Sequence, residues 1–498
     1  MSVLGIDVGT STCKGIVLNA GGEIIAQGQV DYAQQVNLSG SIAELPAEVF
    51  RDSVFALVEK LAGETAGCDP VCAIAFSTHG ETLIPVDEKN EAVRPAMLSM
   101  DRRCAPQAAV LEERIGASRF YEITGTPIHS QYPMPKIMWM LENEAELVKR
   151  VKRYCSTQDY LHGCLGVPGY VDYSLASRFG GLDVKEHAWS KEILECVGID
   201  ESQLSRPVCA GTSIGAIPAE IAERLHLGKN VHVVAGGHDQ PCASFGMGAR
   251  AGAVTVSAGS YECAAIMTDA PLNDGRGMRY GLNSYCHVVP GKYVTLAFFA
   301  SGLMVQWFID RFCRLEKQQA EEAGKKVFSI LEDMAPDGPT GICITPHIHG
   351  AMNPEWNERA TARITGLTAT DGIGEMYRAV LEGASCELDL NIRVLEKLSG
   401  KIERLVMSGG GAKSDFWMRL RADITGKAVY RVTGGTDASC MGAALLAGLG
   451  GRMFASYEEA LEKVQKQLDC FMPGDAAAYA GQKADYLKLH RPGLLEDR

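Results

Sequence analysis

VHVVAGGHDQPCASFGMG, residues 231–248, lies near the middle of a chain of 498 residues. Val231–Ala235 is an apolar run of strand character that enters a double glycine, Gly236 and Gly237, just before Asp239. Pro241–Gly248 is made mostly of small residues and suits a helix packed closely under the strand end. A carboxylate at the carboxyl end of a buried strand stands where open α/β sheets receive ligands. Glycines beside it let foreign atoms approach the main chain. Asp239 is therefore a candidate catalytic base on a seam between two halves. An Asp after Gly-Gly also suits a turn or a helix N-cap.

Moving outward, the two halves open alike. Val3–Asp7 reads as a buried strand, Val8–Lys14 (VGTSTCK) as a tight turn and Gly15–Leu18 as a second strand. Asn19–Gly22 is a hairpin signal leading to Glu23–Val30. The backbone N–H groups and the hydroxyls of Thr10, Ser11 and Thr12 can donate to phosphate oxygens. Lys14 can neutralise them, and Asp7 can hold Mg²⁺. The spacing is neither that of a Walker loop nor GxGxxG, and a hairpin with a polar turn is the plain alternative. After residue 248 the pattern restarts: strand Ala253–Ser257, turn Ala258-Gly259-Ser260-Tyr261, strand Glu262–Thr268. That repeat predicts a duplicated domain with a second phosphate-facing turn.

Between these openings, Val71–Phe76 is an apolar strand ending in Ser77-Thr78-His79-Gly80-Glu81. The loop MLSMDRRC places Asp101 and Arg103 together. These polar groups are candidates for gripping substrate hydroxyls; a satisfied core histidine and a surface salt bridge are the alternatives. Helical periodicity marks Pro46–Ala62, Pro135–Leu147 and Ser301–Phe312. It also marks a long helix over Thr370–Leu398, capped by Thr370 or Asp371. Arg404–Met407 runs into Ser408-Gly409-Gly410-Gly411, bare backbone on which a ring or ribose can lie, with a helix start close behind. In PHIHG, His347 and His349 share a face at i, i+2 without a third ligand nearby, and the segment reads as a non-metal loop. The tail after Pro473 is amphipathic and is expected to pack on the outside.

Totals bound the class. The length predicts two large domains. Hydrophobic residues at 46% and charged residues at 22% are ordinary for a well-cored globular protein. A formal charge of −13 argues against a nucleic-acid or anionic-membrane partner, both of which need a basic face. It leaves phosphate substrates open, because one local Lys and a bound cation outweigh the global field. The 16 cysteines are scattered without a CxxC pair, as in a reducing compartment. There is no leader pattern before the first strand, and no apolar run of ~18 residues. A cytoplasmic location is expected.

Several pieces then line up in one order: GIDVGTSTCKG, PKIMWML, GGHDQ, SGLMVQW, ITGLTATDGIGEMYRAVLEG and SGGGAKSDFWMRLRAD. Together they resemble the FGGY carbohydrate kinase family, over nearly the whole chain. The resemblance implies an α/β fold of two ribonuclease H-like domains of the actin and hexokinase type, flanking a nucleotide and substrate cleft. The expected domains are 1–248 (acceptor binding, first phosphate loop, catalytic Asp) and 249–498 (nucleotide binding). The implied reaction moves the ATP γ-phosphoryl group to a hydroxyl of a ketose or polyol, with Mg²⁺ as cofactor. A homodimer is common in the family.

Residue by residue, Asp7 resembles the metal-associated aspartate and Thr10, Ser11, Thr12 and Lys14 the first phosphate loop. Asp239 resembles the base, also facing the metal. Gly259 and Ser260 match the second phosphate turn, Gly302 and Gln306 the nucleotide-side helix, and Gly409, Gly410, Gly411 and Asp415 the adenosine pocket. His79, Glu81, Asp101 and Arg103 fall where family members hold the acceptor. The second turn reads Gly-Ser-Tyr rather than Gly-Thr-Ser, which is expected to put Tyr261 in the cleft. SMDRR lacks the Trp that xylulokinase-like members carry before the Asp. The rival reading is an actin- or Hsp70-like ATPase module that takes no sugar.

Overall fold

The computed structural model describes residues 1–433, 437–463 and 468–496. Its first half is built on a sheet of β1 (Ser2–Val8), β2 (Thr12–Asn19), β3 (Ile24–Asp31), β4 (Val71–Thr78), β5 (Ser213–Ala216) and β6 (His232–His238), in the order β5-β6-β4-β1-β2-β3. The strands β1, β4 and β6 are parallel neighbours, and β2 and β3 add on antiparallel. After helix α1 (Asp239–Gly246) the second half repeats the plan. It uses β7 (Ala253–Ala258), β8 (Tyr261–Thr268), β9 (Asn283–Cys286), β10 (Tyr293–Ala300), β11 (Arg404–Ser408), β12 (Ala428–Val432) and β13 (Leu468–Phe471). The order is β9-β10-β8-β7-β11-β12-β13. Again an antiparallel run, β7, β8, β10, is extended by two parallel strands, β11 and β12. The duplication expected from the repeated strand–turn–strand pattern is thus carried through both sheets.

The double glycine acts differently from its sequence reading. The strand does not stop at Ala235 but runs through Gly236 and Gly237 to His238, with a register shift between Val234 and Gly237. A Cβ on Gly236 would lie 1.9 Å from the Phe76 carbonyl oxygen, and one on Gly237 2.3 Å from Val288 Cγ1. These glycines serve close packing inside the protein. The strand's continuation brings Lys14, Asp7, Ser77 and Gly237 into one row of paired residues across four strands.

The helix of the second half that follows Asp437, here α2 (Ala438–Gly450), leaves its own sheet and packs on the first one. Ala444, Leu445 and Leu446 join Val3, Ala73, Ala75 and Val234 in one core cluster. The opposite face of that sheet, with Leu4, Ile6, Ile74 and Phe76, is covered by the helix Ala47–Thr65. The approach of α2 needs bare backbone: a Cβ on Gly5 would sit 2.3 Å from Ala444 N, and one on Gly442 2.0 Å from the Cys242 oxygen of α1. Gly442→Ala is expected to destabilise the protein by about 1–3 kcal/mol through overpacking. A calorimetric melting temperature equal to the wild type would show the crossing to be loose.

Two helical details depart from the sequence reading. Pro135–Leu147 is not one helix: Pro133–Asn143 ends at Glu144, where φ is −132°, and Ala145–Val148 starts afresh. The long helix, α3 (Ile373–Ser399), is capped at Gly372, whose N–H donates to Glu375 at 2.9 Å. Asp371 instead turns back on the Thr368 N–H at 2.6 Å. The tail packs on the outside as an amphipathic layer, with Tyr479 and Tyr486 as its inward face in the second core. Among the described residues no helix is long and apolar enough to cross a membrane.

Candidate active site

A cavity of about 1010 Å³ opens between the halves, lined by Lys14 and Gln240 from the first and by Ser257, Gly409, Gly410 and Arg431 from the second. The volume is at the upper end for small-molecule sites and admits a nucleotide. Gly409 has φ +95°, and a Cβ there would lie 2.5 Å from the Ala258 carbonyl oxygen, so this turn requires glycine. Gly411 faces inward, toward Ala258 and Trp417. Asp415 is exposed and pairs with Arg431 at 2.7 Å.

The first turn is closed by Gly9 N–H to the Thr12 oxygen at 2.9 Å. Thr10 and Ser11 are half-buried on it, while the Thr12 hydroxyl donates to Asp31 at 2.7 Å. In the second turn, the Gly259 and Ser260 carbonyls accept from the N–H groups of Gly302 and Leu303 at 3.2 and 2.9 Å. This stitches the turn to the helix Gly302–Phe312. Gln306 is on the exposed side of that helix beside Asp310. Tyr261 is 43% exposed at the start of β8 and is not among the cavity's lining residues.

Lys14 Nζ is 2.8 Å from Asp437 Oδ2, and Asp437 caps α2 by accepting the Ser439 N–H at 3.0 Å. Sequence reading passed over Asp437, although its place before a small-residue helix marks it as an N-cap. Asp7 accepts the Ser77 hydroxyl at 2.6 Å. Burial, reinforced by the charges of Asp437 and Asp239, pushes its carboxyl up to about 8. Burial and the charge of Glu81 push Asp239 up to about 7. Asp239 Oδ1 is buried and accepts no hydrogen bond, although His238 Nε2 stands 3.0 Å away. Two buried carboxyls of raised pKa, the charge of Asp239 acting on Asp7 and one Asp239 oxygen left unbonded among the described residues, form an oxygen-donor set suited to a hard divalent cation.

Behind Asp239 lies a buried polar chain. Glu81, at φ +57°, accepts from Arg178 Nε at 2.6 Å. Burial raises the Glu81 carboxyl, but the Arg178 charge outweighs it and holds the group below its usual range. Arg178 also donates to Asn283 Oδ1 at 3.1 Å and lies over the rings of Tyr132 and Tyr285, each 5.0 Å from centroid. The Tyr132 hydroxyl donates to the same Asn283 oxygen at 3.0 Å. His238 Nδ1 is 2.6 Å from the Tyr285 hydroxyl. Asn283 and Tyr285 belong to the second half, so this chain crosses the seam. Sequence reading missed Arg178, Asn283 and Tyr285, because their partners are remote in sequence.

The other acceptor candidates are engaged internally. His79 spends Nδ1 on the Val8 oxygen at 2.8 Å and Nε2 on Thr157 at 3.2 Å. Asp101 is fully buried and accepts from the Ala43 N–H at 3.0 Å and from Arg103, whose Nη2 also reaches Glu44 at 2.7 Å. Lys136 is buried with Nζ donating to the Glu81 and Leu98 oxygens at 2.6 and 2.7 Å, and burial lowers it to about 8. These four residues, His79, Asp101, Arg103 and Lys136, hold the loops around the chain of polar groups.

The pattern of the N-terminal domain of the FGGY family of carbohydrate kinases matches residues 2–246, and that of the C-terminal domain matches 254–450. The chain belongs to the FGGY family of carbohydrate kinases. Similar proteins include a xylulose kinase of Lactococcus lactis subsp. lactis, 29% identical over 92% of this chain and 89% of its own length. A gluconokinase of Bacillus licheniformis is 28% identical over 89% and 86%. The fold is shared with a Brucella ovis structure described as a xyloylose kinase (TM-score 0.88, 21% identity, 98% and 99% covered). It is also shared with Plasmodium falciparum glycerol kinase with ADP (TM-score 0.87, 19% identity, 98% and 97% covered). The carbohydrate kinase is a phosphotransferase of α/β fold with two domains of the ATPase type, and its family takes the phosphoryl group from ATP.

Proposed function

We propose that this kinase transfers the ATP γ-phosphoryl group to a hydroxyl of a small ketose, sugar acid or polyol, with Asp239 as the base. The observation that carries the reading is the position of Asp239. Its neighbour Gln240 lines the cavity, while its other neighbour, His238, belongs to the buried polar chain. Asp239, its side chain 30% exposed and 3.0 Å from His238 Nε2, thus stands between a residue that lines a nucleotide-sized space and one that belongs to a wall of hydrogen-bonding groups. Phosphoryl transfer asks for in-line positioning and charge neutralisation rather than covalent help. Lys14 sets a cation on the cavity wall, and bare backbone at Gly409 and Gly410 receives the nucleoside. Asp239 orients the acceptor hydroxyl and takes its proton late. Asp7 and Asp239 would hold Mg²⁺, which when bound neutralises phosphate charge. A homodimer is the proposed assembly.

An ADP-release assay with MgATP against xylulose, ribulose, gluconate, glycerol and tetritols tests the reading. One acceptor should raise ADP release far above basal hydrolysis. Steady hydrolysis indifferent to every acceptor would favour the ATPase rival. Lys14→Ala is expected to raise the KM for MgATP on the order of ten- to a hundred-fold, as removal of a charged hydrogen bond does. The KM for the acceptor should change little. Unchanged nucleotide kinetics would count against Lys14 as a phosphate contact.

A further inference from the structure

PHIHG, read from sequence as a loop without metal, resolves differently in three dimensions. His349 is exposed and takes no part, while His347 is buried and meets two residues from elsewhere in the chain. His347 Nε2 lies 3.4 Å from Glu387 Oε1, and His490 Nε2 lies 3.7 Å from Glu387 Oε2. One ligand atom from each of the three falls within 4.8 Å of the others. All three side chains are buried, at 7%, 2% and 1% exposure. Among the described residues neither Nε2 atom has a hydrogen-bond partner. Two imidazole nitrogens thus converge on a buried carboxylate without bonding to it. A buried polar atom left without a hydrogen bond is costly unless something else satisfies it.

We infer that His347, Glu387 and His490 form a binding site for a zinc-class divalent cation, separate from the catalytic centre. A tetrahedral ion with ligands at 2.0–2.2 Å sets them about 3.3–3.5 Å apart, so atoms that lie within 4.8 Å of one another would draw in slightly around it. Two imidazoles with one carboxylate suit zinc rather than magnesium, which prefers oxygen ligands and bound water. The surroundings supply the outer contacts that such sites use. Glu355 Oε2 stands 3.5 Å from His490 Nδ1, the far side of the ring from the ion. The Tyr486 hydroxyl donates to Glu387 Oε2 and orients it. A water completes the coordination.

The ion would join three separate segments: the central helix α3 through Glu387, the loop after the short strand Cys343–Ile344 through His347, and the tail through His490. His490 lies outside residues 254–450 that the C-terminal family pattern covers. The loop continues to Asn353 and Trp356, which donate to the Gly281 oxygen at 3.0 Å each. Gly281 precedes β9, the strand that carries Asn283 and Tyr285 into the polar chain. The clip therefore braces the acceptor wall from behind, and it stands whether or not the proposed chemistry is right.

The test is metal content of the full-length protein made without a polyhistidine tag and dialysed in magnesium buffer. One zinc per chain is expected by elemental mass spectrometry. Cobalt(II) in its place should show the intense visible bands of four-coordinate metal. His347→Gln combined with His490→Gln should abolish both signals. Glu355→Gln, which keeps all three ligands and guards against misfolding of the first variant, should weaken zinc affinity about 10–100-fold. A folded wild-type protein that takes up no stoichiometric zinc or cobalt overturns the site. So does uptake unchanged by the double substitution.

Discussion

Asp239→Asn is expected to lower kcat by about 10²–10⁴-fold, the usual worth of a positioned general base, while leaving nucleotide affinity nearly intact. The amide keeps the shape of the side chain at the head of α1 and loses only the capacity to take a proton. Because burial and the charge of Glu81 lift the Asp239 carboxyl to about 7, the sign of the pH dependence follows. Below that pH the base is protonated and idle; kcat/KM for the acceptor should rise with pH through about 7 and then level. Residual turnover of the variant should lack this acid limb. Nucleotide binding by calorimetry and steady-state rates across pH check both parts. Near-normal turnover in the variant would remove Asp239 from the reaction.

Glu81→Gln is the substitution with the largest expected effect on stability. The side chain is 12% exposed and its partner Arg178 is 4% exposed, so the change leaves a guanidinium buried against a neutral amide. Breaking a buried pair on one side costs about 3–5 kcal/mol, most of it the uncompensated charge. The melting temperature should fall by several degrees and the KM for the acceptor should rise, since Arg178 also holds Asn283 and both tyrosine rings. Adding Arg178→Met to Glu81→Gln should recover part of the stability but not the acceptor affinity. A Glu81→Gln protein with wild-type melting would mean that the pair is solvated in solution.

What the sequence made legible was local. Val3–Asp7 and Val231–Ala235 announce strands because apolar runs end in glycine or aspartate, and the repeat of that punctuation near Ala253 exposes the duplication. Gly409 was readable because a triple glycine between strand and helix has few other uses. Arg178 was not, since a lone arginine in SRFGG looks like any surface cation until Glu81 is folded against it. Asp101 and Arg103 were noticed for the right chemistry but bond each other, and adjacency in sequence cannot tell a free pair from a closed one. His347 shows the same limit in reverse: its neighbours in space, Glu387 and His490, have no spacing in the sequence that would single them out.

The passage of α2 onto the first sheet has a consequence for how the chain is made. When residue 248 leaves the ribosome, every strand of that sheet exists, but the face bearing Val3, Ala73, Ala75 and Val234 has only Cys242 and Phe245 of α1 for helical cover. Its lid, Ala438–Gly450, arrives only after nearly the whole second half has been synthesised. At common elongation rates that interval is on the order of ten to forty seconds. During it the nascent chain carries a bare apolar surface, the kind that invites aggregation and chaperones. The first half is therefore a poor choice for separate expression, however domain-like its sequence looks.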